Sequence, residues 1–447
     1  MCHILPDSNE ARRLGMVMLE MSNTRSDTVE TATARPTPLR RLPAPRRLWA
    51  PCGGQPKAVG TGVRRGEPLA IDVVGFPAPV DGTIVGTEHR TVLGGPQTVT
   101  VALDAQPHES AEVSAPTSAE SVRQTLARLP ADRAAGVERL QAAGVSADRW
   151  TSPDLLGQLR QMLQRPIDAV VCSALDLDPV LPLQRTLATA YAMDVAAGVG
   201  ALVRLSGASQ GLIAVAEDTP AAGVAALRSA SAAASVRLFP LPDEYPRAHP
   251  SLLVRQTLRR RLPPDQSPTE AGVVLLDAAA ALAIGRCFLF DEPMISVPLG
   301  VYDGRHGRAH LLQVPVGTSL ADVLPAADVA GGASELRAGH FLRELPVPAD
   351  AIVAASEVTI FAAEPEHSPE PAACLRCGFC VDACPARIHP AGLLEACQQQ
   401  DPELADHFGI RSCIDCGICS YVCPSRLPLL SSIRLLRRNE DPPTLLA

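Results

Sequence analysis

The stretch CLRCGFCVDACP, Cys374 to Pro385, carries four cysteines, and CIDCGICSYVCP, Cys413 to Pro424, carries four more in the same order. Each run has the form C-x2-C-x2-C-x3-C-P. Thiolates at this density suit soft metal centres. Three of them spaced by two residues can wrap one corner of an iron–sulfur cubane, because the backbone between them turns its amides toward the sulfides. Gly378 and Gly417 relieve crowding at the second turn, and Pro385 and Pro424 lead the chain away from the fourth cysteine. In proteins with two such runs, the fourth cysteine of each ligates the other cluster. The spacing therefore predicts one [4Fe–4S] cluster on Cys374, Cys377, Cys380 and Cys423, and a second on Cys413, Cys416, Cys419 and Cys384. Zinc is the competing reading, but zinc sites present two C-x2-C pairs across a longer loop, not three cysteines in tandem followed by C-P. The expected chemistry is outer-sphere electron transfer, with no catalytic residue and no substrate bond made or broken.

The other cysteines, Cys2, Cys52, Cys172, Cys287 and Cys397, are scattered, and Cys172 and Cys287 lie in apolar sequence that predicts packed thiols. Clustered thiols without a disulfide pattern argue for a reducing compartment. His306 and His310 in DGRHGRAH are weaker metal-ligand candidates. A net charge of −8 argues against a nucleic-acid-binding protein. Met1 to Arg25 lacks a secretory pattern, and Met21 is an alternative start. GVVLLDAAAALAIG is too short to span a bilayer, and LATAYAMDVAAGVGALVRL is interrupted by Asp194 and Arg204. The expectation is a soluble protein without a transmembrane segment, reaching a membrane only through a partner.

The elements that must position the cysteines come before them. A length of 447 residues predicts two to four domains. Residues 1–35 are polar and aperiodic and read as a disordered tail. Arg35 to Arg65 is basic and proline-rich, either a solvated lead-in or a face for an acidic partner or anionic lipid. Within 36–115, short strands cut by glycine predict a small β barrel or sandwich. From 119 to 300, Ala-rich helical stretches alternate with IDAVVCSA, GLIAVAE, SVRLFPL and GVVLLD, which predicts a mainly parallel sheet. Ligands of such sheets bind at the strand carboxyl ends, here ALDLD and AEDTP. Residues 301–362 return to a hairpin pattern, with HLLQVPVGTSLADVL as strand, glycine turn and capped helix. A proline-rich linker leads into the cysteine domain at 370–428, and 429–447 reads as a C-terminal tail.

These segments, in this order, resemble the C subunit of the Rnf complex, the ion-translocating electron-transport complex that links ferredoxin and NAD. The resemblance runs from about Pro43 to Arg438 and is carried most specifically by the two cysteine runs with SYVCPS, and more weakly by APVDGTIVG, LLQVPVGTSLADVL and ELPVPADAIVA. It implies α/β plus β modules in a multidomain chain. The order is an N-terminal barrel-sandwich hybrid, a complex-I-flavoprotein-like α/β domain, a β-grasp (SLBB-like) domain and a C-terminal dicluster ferredoxin-like α+β domain. GVRRGEPLA and APVDGTIVG also resemble the hammerhead of biotinyl and lipoyl carriers, but the connection IDVVGFP has no lysine to carry a swinging arm.

The resemblance further implies FMN and NADH on the α/β domain and other subunits of a membrane complex as partners, with ferredoxin or flavodoxin as carriers. It places the chain at the cytoplasmic face of an inner membrane. The family's flavin loop, G-x-G-G-A-G-F-P, is replaced here by AAGVSADRWTSPDLLGQL, Ala142 to Leu159, and its N-G-A-E-C-E-P phrase by CSALDLDP. Glycine lets backbone amides approach a phosphate, and Ser146, Ala147, Asp148, Arg149 and Trp150 do not reproduce that. Two readings follow: a subunit whose clusters relay electrons while flavin chemistry happens elsewhere, or a flavin held by other contacts. A cobalamin-reductase-like protein of microcompartments and a non-catalytic docking or redox-sensing protein are the alternatives.

Overall fold

Four apolar runs assemble into a parallel sheet in the order Arg237–Leu241, Gln210–Ala216, Ala169–Ser173, Val273–Asp277. The last two are buried along their whole length, as strands covered on both faces must be. This computed structural model describes residues 39–71, 76–106, 117–129, 132–178, 180–329, 335–356, 358–363 and 370–440. The tail expected at 1–35, Cys2 and part of IDVVGFP lie outside them.

The helices on this sheet are Ala-rich because two of them touch backbone to backbone. A Cβ on Gly198 would lie 2.0 Å from the carbonyl oxygen of Ala281, and one on Gly285 would lie 1.9 Å from that of Asp194. Helices Ala192–Ser206 and Ala278–Phe290 therefore approach as only glycine permits. One of the Ala-rich stretches forms two helices, Leu183–Ala190 and Ala192–Ser206, bent by 92° at Tyr191. No single helix among the described residues is long and apolar enough to cross a membrane; this bent pair passes on length and composition alone, and most of it is core.

Two β modules flank the parallel sheet. Arg47–Pro51, Gln97–Ala105, Gly82–Thr91 and Gly62–Val63 form an antiparallel sheet in that order. It closes over Ala50, Val63, Leu69, Ile84, Val101 and Leu103. A six-stranded sheet contains the expected strand–turn–helix: Arg308–Pro315, Gly317 at φ +86°, and helix Leu320–Ala326 capped by Ser319. Gly317 also lies against the Trp49–Ala50 backbone, 2.8 Å from where its Cβ would be, joining the two modules. The lead-in contributes more than a solvated link, since Arg40–Arg41 pairs in parallel with Arg308–Pro315. A two-residue strand carries no readable period, so the sequence could not signal it.

Each cysteine run contains a short helix, Phe379–Asp382 and Ile418–Tyr421, and is followed by a longer one, Pro390–Gln399 and Leu429–Glu440. The tail expected at 429–447 is corrected as far as Glu440, and 441–447 lie outside the described residues. Leu429, Ile433 and Leu436 from Leu429–Glu440 are buried in the same core as Leu393, Ile410 and Cys419. Their i, i+4, i+7 spacing is that of an amphipathic helix.

Candidate cofactor sites

Cys384 crosses over from the first run to stand with Cys413, Cys416 and Cys419 around a narrow cavity walled by Ile388, Ile414 and Ile433. Burial pushes the Cys416 and Cys419 thiols up to about 12. Four soft donors in an apolar pocket suit a cationic soft centre, which displaces the protons on ligation. The residues fit an iron–sulfur cluster. The first run is open: Cys374 and Cys377 are exposed, and Cys380 and Cys423 half-buried. The Cys380 thiol is raised chiefly by burial.

Among the described residues no group of three or more His, Cys, Asp or Glu side chains is placed to hold a single metal ion. His306 instead pairs with Asp303, Nδ1 to Oδ2 2.6 Å. Cys172 and Cys287 are packed in the core as expected, and burial pushes Cys287 up to about 11.

The second run is clamped to the rest of the chain. Trp150 donates its indole N–H to the Ile414 carbonyl (2.9 Å), and Tyr245 donates its hydroxyl to the Cys416 carbonyl. Arg343 donates to the Asp415 carbonyl (3.1 Å) and to its carboxylate (2.9 Å), which Arg434 also holds at 2.7 Å. Gly417 lies so close to the Leu342 carbonyl that a Cβ would be 2.0 Å from the oxygen.

The residues that make this clamp also fill the place expected for flavin. Trp150 stacks on Tyr245 (centroids 5.8 Å), Tyr245 on His340 (4.1 Å), and His249 packs on Trp150 (4.8 Å). Arg343 lies over the Trp150 ring at 4.9 Å. Burial lowers His249 to about 3 and His340 to about 4, so both rings are neutral and pack as aromatic bodies. His249 accepts the Ser251 N–H at the start of helix Pro250–Leu258.

Where a glycine loop would cradle phosphate, Arg149 turns inward to Asp277 (2.6 Å), and both side chains are at most 4% exposed. Burial alone would raise the Asp277 pKa, and the Arg149 charge holds it below the usual carboxylate range. Asp148 accepts the Asp154 N–H, and Asp154 accepts the Gly157 N–H, capping helix Leu155–Gln161. At the carboxyl ends of the strands, Asp176, Leu177 and Asp178 of ALDLD line the crevice, whereas AEDTP only adjoins it through Arg185. Asp176 and Asp218 there grip Arg185 at 3.3 and 3.2 Å, with Asp243 beyond. Burial pushes Asp176 up to about 7. The space left between Trp150, Asp176, Gln184 and Arg343 is about 30 Å³, against the 300 Å³ or more of a cofactor pocket. These residues do not fit FMN.

Residues 157–286 match the Nuo51 FMN-binding domain, and residues 368–424 match the 4Fe-4S dicluster domain. The C subunit of the ion-translocating oxidoreductase complex of Yersinia enterocolitica is 26% identical over 354 residues, covering 75% of this chain and 48% of that protein. That of Pseudomonas aeruginosa is 26% identical over 382 residues, covering 80% and 47%. The chain is a homologue of these C subunits. It spans about half the length of these two relatives. It spans 90% of the C subunit of the Na(+)-translocating ferredoxin:NAD(+) oxidoreductase complex of Acetobacterium woodii, which is 24% identical over 89% of this chain. An NAD+-reducing [NiFe]-hydrogenase in the H2-reduced state superposes with a TM-score of 0.48 at 14% identity, covering 72% of this chain and 63% of that one.

The two domain matches give a complex-I-type flavoprotein region and a dicluster region in one chain. The dicluster match contains all eight cysteines of the two runs. The FMN-binding match begins at Gly157, near the end of the substituted stretch Ala142 to Leu159 and after Ser146 to Trp150. Sequence reasoning missed the roles of Tyr245, His340 and Arg343. A signal was present for Trp150, one of only two tryptophans in a chain with 3% aromatic residues.

Proposed function

We propose that the chain is an electron-transfer subunit of an Rnf-like, membrane-associated oxidoreductase complex linking NAD(H) and ferredoxin. In this reading Cys374, Cys377, Cys380 and Cys423 hold one [4Fe–4S] cluster, and Cys413, Cys416, Cys419 and Cys384 hold the other. The cavity where Cys384 meets Cys413, Cys416 and Cys419 carries it, because the crossover sets two sites side by side. When bound, such clusters supply reversible one-electron chemistry. The protein's share is to fix the ligands, exclude water from the second site through Ile388, Ile414 and Ile433, and leave the first open to partners.

The filled crevice favours the relay without flavin of its own, so NADH oxidation belongs to another site in the complex. The modules are then a barrel-sandwich hybrid at 36–115, a flavoprotein-like scaffold at 119–300, a β-grasp at 301–362 and a dicluster domain extended from 370 through Glu440. The chain docks peripherally at the cytoplasmic face. Anaerobic purification with iron and flavin quantification tests this. About eight irons per chain and no FMN after incubation with it support the relay. Stoichiometric FMN would overturn the flavin-free reading, and iron far below that value would overturn the relay itself.

A further inference from the structure

The two cysteine runs are copies, and only one is covered. Leu375, Arg376, Cys377 and Gly378 correspond in order to Ile414, Asp415, Cys416 and Gly417. In the second copy this loop is an interface. Its carbonyls accept from Trp150 and Tyr245, its carboxylate is held by Arg343 and Arg434, and its glycine lies under Leu342. In the first copy the same glycine is open: a Cβ on Gly378 would meet no heavy atom within 4 Å among the described residues. Leu375 is 69% exposed, whereas its counterpart Ile414 is 5% exposed. Phe379, next in sequence, is also exposed. The two loops share backbone form, since Arg376 and Asp415 both sit at positive φ, +53° and +56°, each with its N–H on the preceding cysteine sulfur at 3.4 Å.

We infer that the Leu375–Gly378 loop is the docking face for an acidic one-electron redox protein, gripped as the chain's own domain grips Ile414–Gly417 but with the charge reversed. Asp415 is met by two arginines; Arg376 occupies its position, is exposed, and has no ion pair among the described residues. A partner completing the same geometry supplies carboxylates there and an apolar surface for Leu375. Over 370–387 the exposed Arg376 and Arg387 balance Glu370 and Asp382, so the choice of an acidic partner over a basic one rests on Arg376 itself, which stands in the uncovered loop where Asp415 stands in the covered one. The inference rests on the proposed clusters: one electron leaves the carrier and one cluster gains it, or the reverse, with no bond altered.

The test uses two probes of opposite charge on the anaerobic full-length chain carrying its clusters. Flavodoxin hydroquinone, acidic, gives one electron to the oxidised chain; ferric cytochrome c, basic, takes one from the reduced chain. Stopped-flow rate constants are measured against ionic strength for the parent, Arg376→Glu and Arg376→Lys. The inference requires the flavodoxin rate to fall with salt and to drop roughly threefold to tenfold in Arg376→Glu, while the cytochrome c rate rises and Arg376→Lys keeps the parent behaviour. Unchanged iron content and reduced-cluster EPR confirm that the variant is folded. Equal rates in parent and Arg376→Glu, or a shift of the same sign for both probes, would overturn the docking face. So would a parent dimer that Arg376→Glu dissociates, since the occupant would then be a second copy. Clusters that accept no electron from any donor would instead defeat the relay reading, a result distinct from either.

Discussion

The ring of Tyr245 lies flat on that of His340, with centroids 4.1 Å apart and planes 3° from parallel, and its hydroxyl reaches the carbonyl of Cys416. Three segments far apart in the chain meet in that contact: the loop before helix Pro250–Leu258, the β module and the second cysteine run. Aromatic pairs contribute about 0.5–1.5 kcal/mol beyond the area they bury, and a part-buried hydrogen bond contributes about 1 kcal/mol. Tyr245→Phe keeps the ring and loses the bond, so it should cost about 1 kcal/mol. Tyr245→Ala removes both and should cost about 3–5 kcal/mol. Denaturant unfolding of the two variants reads the difference, and equal costs would mean that the ring does not hold the cysteine loop.

Arg149 and Asp277 form a pair in which neither charge reaches water. Asp277 also accepts from Thr151 and caps helix Ala278–Phe290 through Ala280. Arg149→Met should destabilise by about 3–5 kcal/mol, because it strands a buried carboxylate. Adding Asp277→Asn to that variant should recover part of the loss by removing the stranded charge. A double-mutant cycle on unfolding free energies checks the coupling.

Cluster crossover makes a pairing prediction for single cysteine variants. Cys384→Ser should remove the same EPR signal as Cys413→Ser, and Cys423→Ser the same signal as Cys374→Ser. Each variant should retain about half the iron. Cys374→Ser and Cys413→Ser should both stop electron throughput, because each interrupts a series path. If Cys384→Ser instead matched Cys374→Ser, each run would hold its own cluster.

Acid should loosen the aromatic stack before it reaches most carboxylates. His249 and His340 are held neutral in the fold, lowered to about 3 and about 4, chiefly by burial. In the unfolded chain each takes up a proton below its ordinary value of about 6.5. The unfolded state therefore binds more protons as pH falls through that value, and stability drops. From about pH 7 to about pH 5.5 the loss should be about 1 kcal/mol for each histidine. Thermal unfolding across this interval measures it, and His340→Gln should shallow the slope.

Most of what was readable in the sequence was local. Ala169–Ser173 and Val273–Asp277 announce themselves because a strand buried on both faces is a continuous apolar run. The cysteine spacing works the same way, since ligation geometry is written into adjacent residues. What closes the flavin crevice was not readable, because Trp150 meets Ile414 across 264 positions and no local period encodes that bond. The absence of glycine around Ser146 to Trp150 showed that the loop had changed, but not that it had become a clamp on the cysteine run. The helix Leu429–Glu440 was legible in its apolar spacing, although its position at the end of the chain reads equally as a tail.

The pairing of Arg40–Arg41 with Leu312–Gln313 has a consequence for synthesis of the chain. Arg40 leaves the ribosome 272 residues before its partner Leu312 (312 − 40 = 272). At about 5–20 residues per second, it waits on the order of 15–55 s. During that interval it belongs to a sheet that does not yet exist, while the neighbouring strands Arg47–Pro51, Gly82–Thr91 and Gln97–Ala105 can already close on one another. Two arginines are a safe sequence to leave waiting, because charged edges resist pairing with other chains. The nascent protein is thus sewn shut late, when Arg40 and Arg41 are drawn onto a strand made more than two hundred and seventy residues afterwards.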